Sequence, residues 1–140
     1  MGARHFTISE AEGLLPRLTR LLQQIRPLKA KHDLNRSRIA ELAGKIQSNG
    51  HGLEDTVRQT RQDAEQTAAE LNALLVEVHE LGCEVKDVDQ GLIDFRALRD
   101  GREVYLCWKL GEEQISWWHD LDTGFAGRQP LPRDSDTDAP

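Results

Sequence analysis

Large apolar residues recur along the first part of the chain at alternating steps of four and three, which is the spacing of one face of an α-helix. The stripe holds Leu14, Leu18, Leu21, Ile25, Leu28, His32, Asn35, Ile39, Leu42 and Ile46. After a turn-forming segment at residues 48–52, the same rhythm returns between Leu53 and Leu81. The pattern predicts two long amphipathic helices over residues 8–81, with a turn near residues 49–52.

The two stripes are matched in a way that predicts an antiparallel hairpin. Residues that face each other across such a hairpin have numbers with a constant sum, and Leu18 with Leu81 satisfies the same sum as Ile46 with Leu53. We therefore expect coiled-coil-like packing between the two arms. The polar layer around His32 is interpreted as a device that fixes the register of the hairpin, and a ligand role for this histidine is the alternative.

Local signals indicate where the first arm begins and bends. Thr7 and Glu10 have the spacing of a capping box, which predicts a helix beginning near Ile8. Pro16 is expected to start a second helical segment. Pro27 removes an internal hydrogen bond and should kink the rod without breaking it.

Beyond Leu81 the hydrophobic period shortens to that of β-strands. Strands are expected at residues 83–86, 92–97, 103–109 and 114–119. The pair Asp100-Gly101 is a strong signal for a two-residue hairpin, and its register would place Asp94 opposite Cys107.

Gly111-Glu112 is interpreted as a second two-residue turn, which would place Trp118 opposite Tyr105. In these registers one face of the sheet is apolar and packs on the hairpin: Ile93, Phe95, Val104, Leu106, Trp108, Ile115 and Trp117, with His119 at its end. The opposite face, together with the loop that follows the last strand, is the candidate binding face: Asp94, Arg96, Tyr105, Cys107, Ser116, Trp118 and Arg128.

These elements predict an α+β protein in which a long antiparallel helical hairpin is followed by a small three- or four-stranded antiparallel β-meander. The chain has 140 residues, which suits a single domain over residues 1–133. Residues 82–131 would form the meander and a C-terminal loop. Residues 134–140 are expected to be a disordered acidic tail.

Charge is distributed unevenly along the chain. The 18 Lys and Arg against 24 Asp and Glu give −6, yet residues 1–48 carry nine basic and four acidic side chains, and residues 49–81 carry two and seven. A basic arm beside an acidic arm favours the hairpin, and we therefore expect no nucleic-acid partner. No apolar run is long enough to cross a membrane and no secretory signal is visible, so we expect a cytoplasmic protein without a membrane partner.

Carboxylates and one histidine near the predicted sheet are the candidate ligands for a divalent metal: Asp87, Asp89, Asp94, His119 and Asp120. They lack a motif with metal-ligand spacing, so no cofactor is predicted, and a divalent metal at these residues is the alternative. Cys107 is interpreted as a packing thiol, because the expected register sets it and His119 on opposite faces. Arg128 is expected to pair with a carboxylate such as Asp94 or Asp120, and the alternative is that the two glycines before it let the backbone approach an anion.

Several motifs carry a family resemblance when they are taken together. They include Phe6-Thr7, Leu14-Leu15-Pro16, Val85-Lys86-Asp87, Gly91-Leu92-Ile93-Asp94-Phe95, Leu106-Cys107-Trp108, Trp118-His119 and Gly124-Phe125-Ala126-Gly127-Arg128. With these motifs, residues 5–131 resemble an uncharacterised prokaryotic family called domain of unknown function 2203. The resemblance implies a helical hairpin with a small sheet and assigns no catalytic residue.

Two functions from different classes remain open. A long hairpin presents surface far from the core, so we expect a non-enzymatic protein-interaction or adaptor module that binds a protein partner or self-associates through the hairpin. The alternative is a small metal-dependent binding protein or enzyme with its site on the β-meander. That site would use Asp94, Tyr105, Trp118, His119 and Arg128.

Overall fold

The computed structural model describes residues 4–49 and 52–132. Three helices come first: α1 at Ile8–Gly13, α2 at Leu15–Asn49 and α3 at Glu54–Glu80. Five strands follow: β1 at Glu84–Asp87, β2 at Leu92–Arg99, β3 at Arg102–Lys109, β4 at Trp117–Asp120 and β5 at Gln129–Pro130. The predicted tail, and Gly50 and His51 of the predicted turn, lie outside the described residues.

The predicted beginning of the first helix is confirmed. The Thr7 hydroxyl accepts a hydrogen bond from the backbone N–H of Glu10 at 3.0 Å, and the Glu10 carboxylate accepts one from the backbone N–H of Thr7 at 2.9 Å. A second helical segment does begin beside Pro16, because α2 starts at Leu15. This helix continues through Pro27 without interruption.

Helix α2 packs along α3, which confirms the hairpin. Its base belongs to the core, where Leu18, Ile25 and Val78 are fully buried. Arg17 Nη2 lies 3.7 Å from Glu77 Oε1 and joins the basic arm to the acidic arm. Over the 35 residues of α2 the rod extends about 50 Å, well beyond the sheet. None of the described helices is long and apolar enough to span a membrane.

The five strands form one antiparallel meander in chain order, one strand more than the largest number expected. Asp100 and Gly101 both have positive φ, 52° and 78°, as a type I′ hairpin turn requires. The turn fixes the β2–β3 register that the sequence predicted, with Asp94 opposite Cys107.

The predicted register between β3 and β4 is wrong by one residue. Trp118 lies opposite Leu106 and His119 lies opposite Tyr105, where Trp118 had been expected. Because side chains alternate along a strand, this single step reverses the faces of β4. Trp118 therefore joins the buried core on the hairpin side, and His119 moves to the opposite face with Cys107.

The shift arises because the β3–β4 connection is a wide loop and not a two-residue turn. The Glu112 side chain accepts a hydrogen bond from the Lys109 backbone N–H at 2.8 Å, and the Glu112 carbonyl accepts one from Trp108 Nε1 at 2.9 Å. Further along, the Ile115 backbone N–H donates to the Glu12 carboxylate at 2.8 Å. Ile115 thus enters the core from the loop, and β4 begins two residues later.

Candidate functional site

Three neighbouring strands bring Asp94, Cys107 and His119 together on the sheet face that points away from the hairpin. They lie on β2, β3 and β4 respectively, and no more than 2% of any of them is exposed. One ligand atom from each lies within 4.8 Å of the other two. Sequence reasoning missed this grouping because the wrong β4 register separated His119 from Cys107.

The hydrogen bonds of His119 define where its proton is. Nδ1 lies 2.7 Å from the carbonyl oxygen of Asp120, which can only accept, so Nδ1 carries the N–H that donates to it. Nε2 therefore faces the cluster, 3.0 Å from Oδ2 of Asp94. A single proton lies between Nε2 and Oδ2, and it belongs to a neutral carboxyl or to an imidazolium.

Burial governs the titration of the other two groups. It raises the pKa of Asp94, against the opposing influence of His119 beside it. Burial also raises the pKa of Cys107 to about 12, and the charge of Asp94 adds to that rise. Burial therefore favours the thiol form of Cys107 at neutral pH over an activated thiolate.

A cavity of about 300 Å³ opens in front of the cluster. Its walls come from the sheet and from the loop that follows β4: Lys86, Leu92, Asp94, Tyr105, Cys107, His119, Leu121, Asp122, Thr123, Gly124 and Phe125. The loop therefore covers part of the outer sheet face and leaves an opening beside it. This combination of a polar floor and mixed walls is typical of a small-molecule site.

Tyr105 links the cavity to a charged network on its β1 side. Its hydroxyl donates to Glu84 Oε2 at 3.0 Å, and burial and then Glu84 raise the pKa of Tyr105. Lys86 Nζ lies 2.9 Å from Glu84 Oε1 and 4.7 Å from the centre of the Tyr105 ring. The network holds a cationic side chain at the edge of the cavity.

Arg128 braces the loop and does not bind either predicted carboxylate. Its Nη2 donates to both carboxylate oxygens of Glu112, at 2.9 and 3.0 Å, so the expected pairing with a carboxylate is confirmed, while the partner is Glu112 and not Asp94 or Asp120. The guanidinium also stacks between two rings, 4.9 Å from the centre of Trp117 and 4.6 Å from that of Phe125. The wide loop supplies Glu112, which explains why sequence spacing did not reveal this partner.

Three of the five candidate metal ligands lie apart from the cluster. Asp87 Oδ1 accepts a backbone hydrogen bond inside its own turn at 3.0 Å. Asp89 faces Lys29 at 3.4 Å, and the Asp120 carboxylate pairs with Arg102. The other two candidates are the histidine and the aspartate of the cluster.

Only some residues of the predicted binding face line the cavity. Asp94, Cys107 and Tyr105 line the cavity. Arg96 lies beside Glu84 at 3.6 Å, away from the cavity opening. Ser116 and Trp118 do not belong to this face, since the first precedes β4 and the second packs in the core.

A second, wider groove of about 850 Å³ lies where α3 meets β1. Its buried titratable group is Cys83, whose pKa burial raises to about 11. Three of the charged side chains around it have partners in the protein, since Arg4 donates to the Leu81 carbonyl and Arg96 pairs with Glu84. The outer-face cavity is therefore the better candidate, since it has three converging ligand atoms.

Comparison with known proteins gives a family and no activity. The model of a family described as "Uncharacterized conserved protein (DUF2203)" matches residues 4–131, which include the hairpin, the sheet and the loop beside the cavity. No curated protein and no solved structure matches the chain.

Proposed function

The chain belongs to the DUF2203 family, and we propose that it is a metal-dependent binding protein whose divalent cation is held by Asp94, Cys107 and His119. One observation carries the proposal: three different ligand types are buried together at the floor of a cavity. Buried polar side chains that converge on an open cavity are more typical of a binding site than of a packed core. The proposal concerns binding and assigns no reaction.

The donor set favours a borderline cation such as Zn²⁺. Thiolate sulfur, imidazole nitrogen and carboxylate oxygen all bind zinc, and sites with three protein ligands keep a fourth position for water or a ligand. Here that position would face the cavity. His119 is already oriented for coordination, because Nδ1 donates to the Asp120 carbonyl and Nε2 is directed at the cluster.

In the metal-free protein, protons would take the place of the cation and limit the negative charge of the cluster. Cys107 keeps its thiol proton at neutral pH, and one further proton is shared by Asp94 and His119. A bound dication would replace these protons and supply the positive charge that the buried sulfur and oxygen need. Metal binding and proton release are therefore coupled in this proposal.

Cobalt substitution tests the site directly. We would titrate metal-free protein with Co²⁺ and expect one equivalent to bind, with a sulfur-to-cobalt charge-transfer band and the intense visible bands of four-coordinate cobalt. Cys107→Ser should lose the charge-transfer band. Cys83→Ser is the matched control, because Cys83 is equally buried but lies outside the cluster, 3.6 Å from the Val78 carbonyl. Absence of the band in the wild type, or its survival in Cys107→Ser, would contradict the proposal.

The interaction or adaptor role stays a prediction on a different surface. It concerns the part of the hairpin beyond the sheet, where Leu34 is 69% exposed. Light scattering over a wide concentration range measures self-association without involving the cavity. A strict monomer at high concentration would contradict the self-association part.

A further inference from the structure

We infer that the ligand of the proposed metal site is a small amphipathic carboxylate, whose head group binds the cation and whose apolar body contacts Leu121 and Phe125. The head-group part rests on the proposed function. The apolar part rests on separate features of the cavity rim, so the two parts can fail separately.

The rim of the cavity exposes apolar surface beside a polar floor. Among the described residues, four large hydrophobic side chains are exposed, and two of them, Leu121 and Phe125, line this cavity. Leu92 continues the apolar wall towards the floor. Exposed apolar side chains that meet at one opening indicate a surface that is covered when a ligand binds.

The rim is built before any ligand arrives. The Phe125 ring stacks on the Arg128 guanidinium, which its two hydrogen bonds to Glu112 hold in place. The Gly127 backbone N–H donates to the Gly124 carbonyl at 2.9 Å and closes a tight turn around Phe125. A preformed apolar wall loses little conformational entropy on binding, so its contacts contribute to affinity.

The open position of the proposed cation favours a carboxylate over an amine. A dication bound by one thiolate and one carboxylate has no net charge left over, so its open position selects for a lone-pair donor. A carboxylate offers a lone pair at neutral pH, whereas an alkylamine is protonated there and offers none. Lys86 at the edge of the cavity is paired with Glu84 at 2.9 Å, and Asp122 on the rim is exposed to solvent, so neither charge decides the choice.

The size of the cavity limits the apolar body to a few carbon atoms. Small-molecule pockets span roughly 300 to 1,000 Å³, and this cavity of about 300 Å³ is at the lower limit. A short straight-chain acid such as hexanoate, with a carboxylate head group and five further carbon atoms, is small enough for this cavity. A long fatty acid would extend beyond the opening, and a folded macromolecule would not fit inside.

The experiment uses the visible spectrum of the cobalt-loaded full chain to follow the binding of acetate, butyrate, hexanoate and hexylamine. We expect hexanoate to bind at least tenfold more tightly than acetate, because each fully buried methylene adds about fourfold in affinity and hexanoate has four more of them. Leu121→Ala and Phe125→Ala should each lower the ratio of hexanoate affinity to acetate affinity towards one. Leu34→Ala is the control, since Leu34 is an exposed leucine on the distant hairpin.

Each outcome decides one part of the inference. Equal affinity for acetate and hexanoate, or a gain that survives in both rim variants, would overturn the apolar body. Hexylamine binding as tightly as hexanoate would overturn the carboxylate head. Failure to form the cobalt site would overturn the proposed function and the head group together, and thermal stabilisation of the metal-free protein by hexanoate then tests the apolar rim alone.

Discussion

Nε2 of His119 lies 3.0 Å from Oδ2 of Asp94, and neither side chain is more than 3% exposed. A buried pair of this kind is costly to break, because the partner left behind keeps its polar group without water. The same geometry leaves both atoms free to become metal ligands once their shared proton is lost. We therefore expect the pair both to stabilise the sheet and to supply two ligands of the proposed metal site.

Removing the imidazole should destabilise the protein strongly. We expect His119→Ala to lower the free energy of unfolding by about 3 kcal/mol, because Asp94 would be buried without its partner. Urea denaturation of the metal-free protein measures the change. His79→Ala, an exposed histidine near the end of α3, should change stability by less than about 0.5 kcal/mol. Equal losses in the two variants would show that the buried pair is unimportant.

Metal affinity should rise with pH. The pKa of Cys107 is raised to about 12, so the thiol is protonated throughout the neutral range and the cation must displace its proton. Each proton released strengthens apparent affinity by about tenfold per pH unit while the group remains protonated. Calorimetric titration with Zn²⁺ between about pH 6 and pH 8, in buffers of different ionisation enthalpy, counts these protons. An affinity independent of pH would contradict a thiolate ligand.

The two cysteines should be inert in the folded, metal-free protein. Burial raises the pKa of Cys83 to about 11 and that of Cys107 to about 12, and both side chains are within 1% of full burial. Alkylation by iodoacetamide should therefore be slow at neutral pH and fast after unfolding in denaturant. Mass spectrometry of peptides identifies the modified residue. Rapid modification of Cys107 in the folded protein would show an accessible thiolate and contradict the described burial.

We expect Glu112 to stabilise the protein and to hold the loop at the cavity rim in place. Glu112→Gln removes the charge that pairs with the largely buried Arg128, and we expect a loss of about 2 kcal/mol. Hydrogen exchange in residues 121–128 should become faster, because the brace on Phe125 is weakened. Glu113→Gln is the matched control, since Glu113 is the exposed neighbour in the same loop. Equal effects of the two substitutions would argue against the brace.

A buried amide nitrogen of Asn35 allows a test of the packing within the helical hairpin. Nδ2 of Asn35 is buried and has no hydrogen-bond partner among the described residues. We expect Asn35→Leu to stabilise the protein by about 1 kcal/mol, since an unsatisfied buried group is removed. Asn72→Leu, at an exposed position of α3, should be nearly neutral. A destabilised Asn35→Leu variant in thermal denaturation would show that Asn35 is needed for the native packing.

Local turn chemistry explains which parts of the sheet could be predicted from sequence. Asp100-Gly101 adopts positive φ at both positions, so two adjacent residues are enough to set the β2–β3 register. Heptad spacing and the capping box at Thr7 are equally local, and both led to correct helices. These signals depend on neighbours along the chain, which the sequence displays directly.

The candidate site was only half visible because it depends on contacts between distant residues. The β3–β4 loop is held in part by a hydrogen bond from Ile115 to Glu12, which lies about a hundred positions earlier in the chain. Nothing in the spacing around Gly111 indicates that bond. A shift of one residue in the β3–β4 register moves every side chain of β4 to the other face of the sheet. Without the Ile115–Glu12 hydrogen bond, the predicted register was wrong by one residue and separated His119 from Cys107.

Metal content of the purified protein is the direct test of the proposed site at Asp94, Cys107 and His119. The full chain would be purified without chelators, freed of any affinity tag, dialysed and analysed by inductively coupled plasma mass spectrometry beside Cys107→Ser and Cys83→Ser. We expect close to one divalent metal per chain in the wild type and in Cys83→Ser, and a large loss in Cys107→Ser. Metal-free wild-type protein that also fails to take up added Zn²⁺, or equal metal content in all three proteins, would contradict the proposed site.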